Sequence, residues 1–441
     1  MKHSVRYAAD VIIVGSGPGG ATTAKYLAKS GKNVLVLERG KDHRNAFYYG
    51  TYLGALLYSE KRSFLFTEEG LNIVAPVMLG GATSMFAGCA SVPPPWLKEK
   101  YGLDIDAEVS ETIGQLGIEP LPEHLRGEAS TRIALAAGAL GYDWYAQPKF
   151  MFPERARGKH GFDCGASCML GCACGAKWNA AEWIDDAVRA GAEVRTGARV
   201  KQVLANGGEV VGVTGRIGRR EFIAEAGTVV VCAGGLGTPR ILQASGFAHA
   251  GEGMTMDTTV MVYGFTKRRG TGMEPPMTWS WENDEAGFML STLIDPWLLY
   301  PMMAVRKGPG PALRWVKWNK MLGLMIKLKD DIAGGVYPDG RISKPLTRSD
   351  RERLMLAEDV CRSILIEAGA EKKTIFTTPQ RGTHPSGTVR VGHLVDADLQ
   401  THIRGLYVCD ASVFPESLDR PTVLTIIGLG KRLARHLTAA A

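Results

Sequence analysis

The feature that most constrains this chain is a short apolar run ending in a glycine-rich turn. Val11-Ile12-Ile13-Val14 has no polar face, as a strand buried on both sides of a parallel sheet requires. Gly15-Ser16-Gly17-Pro18-Gly19-Gly20 follows at once, and Ala21 to Ser30 places Ala24, Leu27 and Ala28 on one helical face. Gly31 closes that helix. Asn33 to Leu37 is a second apolar run, ended by Glu38-Arg39-Gly40. Strand, turn, helix and strand in this order predict a βαβ unit and a Rossmann-like α/β fold.

The turn has a dinucleotide chemistry. Gly15 permits the tight turn, Gly17 lets backbone approach a pyrophosphate, and Gly20 allows close helix–strand packing. Ser16, Pro18 and Gly19 complete the loop, and the helix N-terminus offers free N–H groups and partial positive charge to phosphate. Glu38, with Arg39 beside it, can accept from a ribose 2′-hydroxyl. A carboxylate there disfavours a 2′-phosphate, so FAD or NAD is expected rather than NADP.

Composition sets the outer bounds. A chain of 441 residues, 45% hydrophobic and 22% charged, has room for two or three domains, and disorder or coiled coil is excluded as its main organisation. No apolar run reaches the roughly 18 residues that span a bilayer. The opening MKHSVRYAAD lacks a secretory h-region, so a cytoplasmic location is expected. No nucleic-acid-binding motif is present.

Further along, Thr228 to Cys232 reads as another buried strand, followed by Ala233-Gly234-Gly235 and a helix through Ile241. Residues 258 to 292 alternate and are rich in aromatics and Thr, which predicts antiparallel strands. Arg348 to Gly369 is a helix pattern; Leu406 to Cys409 reads as a strand and about Thr422 to Leu437 as a helix.

GTHPSGTVRVGH (382–393) and VDADLQTHIRGLYVCDASVFPESLDRPTVLTII (395–427), taken with the first βαβ unit, resemble the glucose–methanol–choline (GMC) family of FAD-dependent oxidoreductases. GGATSMFAG (80–88), CGASCMLGCACGAK (164–177), Thr196 to Val200 and VVVCAGGLGTPRILQASG (229–246) extend the resemblance inward. It implies a discontinuous FAD-binding domain over 1–40, 76–93, 161–246 and 376–441. A substrate domain on an antiparallel sheet would take 41–75, 94–160 and 247–375.

The resemblance also implies roles. Asp410 would hold the ribityl chain, with Ala411 beside it. Gly80, Gly81, Thr83 and Ser84 would line the pyrophosphate and isoalloxazine, joined by Ala233 and Gly234, and Val200 would meet the adenine. A helix starting at Thr422-Val423 would aim its N-terminus at the flavin N1–C2=O edge, where it stabilises the charge of reduced flavin. His384 would be the base that takes the substrate hydroxyl proton; an imidazole of pKa about 6.5 suits that task near neutrality. Arg420 stands where many members have Asn or His. It cannot act as a base at ordinary pH, but it can stabilise an alkoxide or bind a carboxylate, or simply pair with Asp419 or Glu416.

Two segments are open to more than one reading. Cys164, Cys168, Cys172 and Cys174 fall within eleven residues: either a structural loop beneath the flavin or the ligands of an iron–sulfur cluster. Residues 297 to 329 hold seven Lys or Arg (306, 307, 314, 317, 320, 327, 329) and no Asp or Glu, equal to the net charge of +7. Trp315, Trp318 and Leu322 recur there at helical spacing, over a helix limited to about 311–321. The stretch is either a docking face for a membrane surface or an electron-acceptor protein, or a roof over the substrate pocket.

The leading expectation is an FAD-dependent dehydrogenase that oxidises a C–OH group of a small molecule, a hydrophobic one among the candidates, and passes electrons to an acceptor other than oxygen. The alternatives are a flavin C=C desaturase or reductase of a hydrophobic ring or terpenoid, and a flavin/iron–sulfur electron-transfer subunit of a larger complex.

Overall fold

The apolar runs fold as their composition requires. Every residue of β1 (Val11–Val14) and β2 (Val34–Glu38) is buried, and the two pair in parallel with Val11 opposite Val34. The structure is a computed structural model and describes residues 5–157, 161–162, 164 and 167–439. The outermost ends of the first and last flavin-domain ranges, residues 158–160, part of the cysteine-rich motif and the Lys307 side chain lie outside the described residues. β3 (Glu193–Thr196) joins beyond β2 and β4 (Thr228–Val231) beyond β1, with the strand Leu406–Val408 outermost; all five run parallel. α1 (Pro18–Lys29) crosses from β1 to β2, with Pro18 in the first turn, where its missing N–H costs nothing. α2 (Gly234–Ala244) follows β4, and α3 (Val423–Ala439) lies against α1, Gly430 resting on Thr22. Val200 sits in Ala198–Asn206, part of a separate four-stranded sheet, at a register shift between Val200 and Gln202.

A second sheet is antiparallel. β5 (Thr259–Phe265), β6 (Trp279–Asn283), β7 (Phe288–Thr292) and β8 (Met321–Leu328) lie in the order β5-β8-β7-β6. β5, β7 and β8 are buried throughout because both faces are covered. One packs on the helix Arg348–Glu367 and the helix Glu128–Ala139; the other meets a cluster containing Tyr263, Tyr300 and Trp318. Thr347 and Asp350 close the start of the former helix with reciprocal side-chain bonds.

Two local expectations are corrected. The single helix over 311–321 is instead a short helix, Pro309–Leu313, and a 3-10 stretch, Arg314–Lys320, interrupted at Lys317. Trp318 turns inward and its Nε1 donates to the Asp295 carbonyl at 2.9 Å, so the Trp spacing marks an inner face. The described part of 94–160, residues 94–157, serves both cores: Leu97, Ile105, Val109, Phe150 and Phe152 pack with the parallel sheet, whereas Ile133 and Ala137 pack under the antiparallel one.

Candidate active site

The dinucleotide turn is built as its residues suggest. Gly15 has φ +104°, and a Cβ there would strike the Cys232 carbonyl. Gly17, the residue before α1, faces open space: a Cβ would meet nothing within 4 Å. Glu38 Oε2 accepts from Ser16 N at 3.0 Å and Ser16 Oγ at 2.6 Å, and Oε1 accepts from Gly40 N at 2.6 Å. Ser16 Oγ in turn accepts from Gly80 N at 3.1 Å, so one hydroxyl couples the ribose-side carboxylate to the second glycine turn. That turn is fixed from below. Thr83 Oγ1 donates to the Gly80 carbonyl (2.6 Å) and accepts from Ala180 N (2.9 Å). Asn179, which caps the helix Ala180–Arg189, donates through Nδ2 to Ser84 Oγ (3.0 Å). Gly81 approaches Gly17 closely. Arg39 is held at 2.8 Å by Glu60.

Asp410 organises the other side of the cleft. Its Oδ2 accepts from Gly234 N at 2.8 Å and from Thr238 Oγ1, and its Oδ1 from Ser412 N at 2.8 Å. Burial pushes this carboxyl up, and the Ser412 and Thr238 bonds oppose that. Gly234 also faces open space, whereas Ala233 N is fixed by Thr238 Oγ1 at 3.0 Å. Ala411 and Val413 supply the carbonyls that accept from Gly387 N and Val391 N. Near the start of α3, Thr422 and Val423 are buried, and among the described residues Thr425 Oγ1 has no partner. Two glycines open to space at two helix starts, together with one buried hydroxyl unpartnered among the described residues, fit an FAD laid along this cleft. Glu38 would hold the ribose, Gly15 to Gly20 and Gly80 to Ser84 the pyrophosphate, Asp410 the ribityl chain, and Val200 the adenine edge.

The loop carrying His384 is fastened to this cleft. Its Pro385 carbonyl lies where a Cβ on Gly235 would be, Thr388 Oγ1 donates to the Gly235 carbonyl at 2.9 Å, and Val389 N donates to the Ser412 carbonyl at 2.8 Å. His384 Nδ1 is 2.7 Å from Asp257 Oδ2. Asp257 is fully buried and has φ +45°, a conformation that non-glycine residues seldom hold. Ser417 Oγ donates to its second oxygen, and Asp419 N does so at 3.3 Å. Lys327 Nζ donates to Thr383 Oγ1 at 2.9 Å and lies 3.5 Å from His384 Nδ1.

Sheet register makes this convergence. In β5, Thr259 is opposite Lys327 of β8 and also Arg381, three residues before His384. Thr259 Oγ1 meets Thr383 Oγ1 at 3.0 Å, and the Met256 carbonyl accepts from His384 N at 3.0 Å. Burial and the Lys327 ammonium hold the His384 imidazole below its usual pKa, against the pull of Asp257. Burial pushes Asp257 up, but His384, Lys327 and Ser417 together leave it below the ordinary carboxylate value. The sequence reading missed Asp257 and Lys327. For Lys327 a signal existed: it is the one charged residue in an eight-residue strand that is otherwise apolar or glycine, where an unpaired cation would be costly.

The catalytic expectation for Arg420 meets a different geometry. Its side chain is buried, with Nε 2.9 Å from Asp419 Oδ1, Nη2 2.5 Å from Asp284 Oδ1 and Nη1 3.4 Å from Glu282 Oε2. Each guanidinium nitrogen already faces a carboxylate of the chain itself. Glu416 pairs instead with Lys100 and Lys329.

The iron–sulfur expectation is not met either. Cys164 and Cys168 are joined in a disulfide, and Cys172 Sγ faces Cys174 Sγ at 3.7 Å. Among the described residues, no group of three or more His, Cys, Asp or Glu converges as a metal site. The buried Lys177 Nζ donates to the Ser84, Phe86 and Cys168 carbonyls, so the lysine ties Cys168 to the segment after the second glycine turn.

A dinucleotide cleft sharing one loop with an imidazole on a buried carboxylate places the chain among FAD-dependent oxidoreductases. Comparison with known families makes this specific. The chain belongs to the GMC oxidoreductase family, whose models match residues 75–259 and 337–430, with an NAD(P)-binding Rossmann-like domain matched over 13–43. An uncharacterized protein of Methanocaldococcus jannaschii is 28% identical, over 97% of this chain and 99% of its own length. A long-chain-alcohol oxidase of Arabidopsis thaliana is 24% identical over 96% of this chain; the match spans 66% of the plant enzyme. The structure of pyridoxine 4-oxidase from Mesorbium loti aligns with a TM-score of 0.73 at 18% identity, over 97% of this chain and 98% of that one, which shows a common fold.

Proposed function

We propose that the protein oxidises a C–OH group, with His384 Nε2 as the base that takes the hydroxyl proton. The observation that carries this is the 2.7 Å contact between Asp257 Oδ2 and His384 Nδ1. An ionised Asp257 makes Nδ1 the protonated nitrogen and leaves Nε2 as the acceptor; among the described residues Nε2 has no partner. Bound FAD supplies the two-electron acceptor for the carbon-bound hydride. Lys327, whose Nζ lies 3.5 Å from the same Nδ1, opposes premature protonation of the ring in the resting state. Once His384 has taken the proton, Asp257 stabilises the imidazolium.

Arg420 acts in this reading as a positioning residue. It ties Glu282, near the end of β6, and Asp284, in the turn that follows, to Asp419, whose N–H supports Asp257. The alcohol oxidase among the relatives supports a C–OH substrate.

The test is anaerobic loss of flavin absorbance on mixing the holoenzyme with a panel of primary, secondary and long-chain alcohols, sugars and enones. Bleaching by an alcohol, abolished in His384→Ala with FAD retained, is the expected result. An unchanged rate in that variant overturns the base assignment, and bleaching by no alcohol overturns the reaction class. Reoxidation by oxygen and by a quinone, followed separately, assigns the acceptor.

A further inference from the structure

The outer segment 297–320 carries an apolar face that, among the described residues, no other part of the chain covers. Val316 is 78% exposed and Leu313 74%, and Met302, Val305 and Trp297 are exposed beside them. The face continues onto the helix Tyr52–Leu57, where Leu53 and Leu57 are exposed. Tyr52 Oη accepts from Leu298 N at 3.1 Å, and a depression of about 660 Å³ has walls from Tyr52, Trp297, Trp315 and Val316, so the two segments form one surface. The Trp297 and Trp315 rings lie 4.4 Å apart and brace it.

Within 297–320 every charged side chain is Lys or Arg. Arg306, Lys317 and Lys320 are exposed, and among the described residues none has a carboxylate partner. Arg306 donates to the Gly70 carbonyl, and the acidic pair next to that glycine is already engaged: Glu68 by Arg341, Glu69 by Ser343 and Lys344 N. Exposed aliphatics braced by tryptophan and rimmed by unpaired Lys and Arg suit a headgroup layer. Lys is depleted in protein–protein interfaces, and two copies of this face brought together would repel.

We propose that this face seats the protein on a lipid bilayer bearing anionic headgroups. Leu313, Val316 and Met302 enter the interface, and Arg306, Lys317 and Lys320 meet the lipid phosphates. The proposal goes beyond the alcohol-oxidation reading and does not depend on it, because its readout is adsorption.

The experiment floats FAD-loaded full-length protein with vesicles of phosphatidylcholine alone, or with about one third phosphatidylglycerol. Recovery with the anionic vesicles is expected to be about tenfold higher and to be reversed by high salt. Leu313→Asp/Val316→Asp and, separately, Lys317→Glu/Lys320→Glu are each expected to lose it; retained flavin absorbance and melting temperature show that they fold. Absent recovery, equal recovery with both vesicles, unchanged recovery in either folded variant, or a dimer that only the Asp variant loses would each overturn the proposal.

Discussion

Asp257 and His384 stand 127 residues apart in sequence, and their side chains meet at 2.7 Å. The aspartate has no exposure to solvent, and its other oxygen is held by Ser417. It is therefore a fixed acceptor that sets which imidazole nitrogen carries the proton. Asp257→Asn leaves the shape in place but removes the charge that stabilises an imidazolium. The expected loss in kcat/KM is on the order of 10²- to 10⁴-fold with FAD still bound. Stopped-flow flavin reduction reads it, and a loss below about threefold would mean that His384 is not the base.

Lys327 acts in the opposite direction. With the ammonium in place, His384 titrates below the usual imidazole value, so kcat/KM falls only when the pH drops through that lowered value. Lys327→Met removes a positive neighbour, which favours the imidazolium, so the acid limb must move to higher pH. Asp257→Asn must move it to lower pH. A pH profile of flavin reduction in both variants checks the pair of signs.

Gly17 and Gly15 separate cofactor binding from folding. Gly17 has space around it and a φ of −63°, so Gly17→Ala folds, with a stability change within about 0.5 kcal/mol. The added methyl occupies the approach to the pyrophosphate, and FAD affinity drops about tenfold or more. Gly15→Ala drives a Cβ into the Cys232 carbonyl and strains a positive φ; it is expected to reduce the yield of folded protein. Apoprotein melting and FAD titration distinguish the two.

Arg420 is expected to matter for stability more than for substrate charge. Arg420→Met leaves the buried Asp419 carboxyl without its cation, at a cost of about 3 kcal/mol. Burial already pushes Asp419 up to about 7, against the pull of Arg420, so in the variant it holds its proton to higher pH still. The variant therefore loses most stability at alkaline pH, where that proton must leave. Chemical denaturation at two pH values measures this.

The cysteine loop predicts a spectrum. With Cys164 bonded to Cys168 and the Cys168 carbonyl held by Lys177 Nζ, purified holoenzyme is expected to show flavin bands and no stoichiometric iron. Iron analysis with Cys172→Ser/Cys174→Ser checks this: flavin content and spectrum should be unchanged.

The sequence by itself determined the dinucleotide half of this protein. Val11 to Val14 and the Gly15 to Gly20 turn are local patterns whose geometry follows from backbone sterics and burial over a few residues: the strand is buried throughout, and Gly15 takes the positive φ of a tight turn. The second core was legible as antiparallel strands, but its register was not. Pairing of β5 with β8 brings Lys327 to His384, and a left-handed turn aims Asp257 at it; neither is written in local propensity.

The +7 of the stretch 297–329 is likewise divided only by the fold. Lys327 goes into the active site and Lys329 to Glu416, while Arg306, Lys317 and Lys320 stay in solvent. Arg420 and the cysteines looked reactive in sequence, where partners are invisible. Long-range packing supplied those partners, three carboxylates for the arginine and a second sulfur for Cys164, and so decided which polar groups remain free to react.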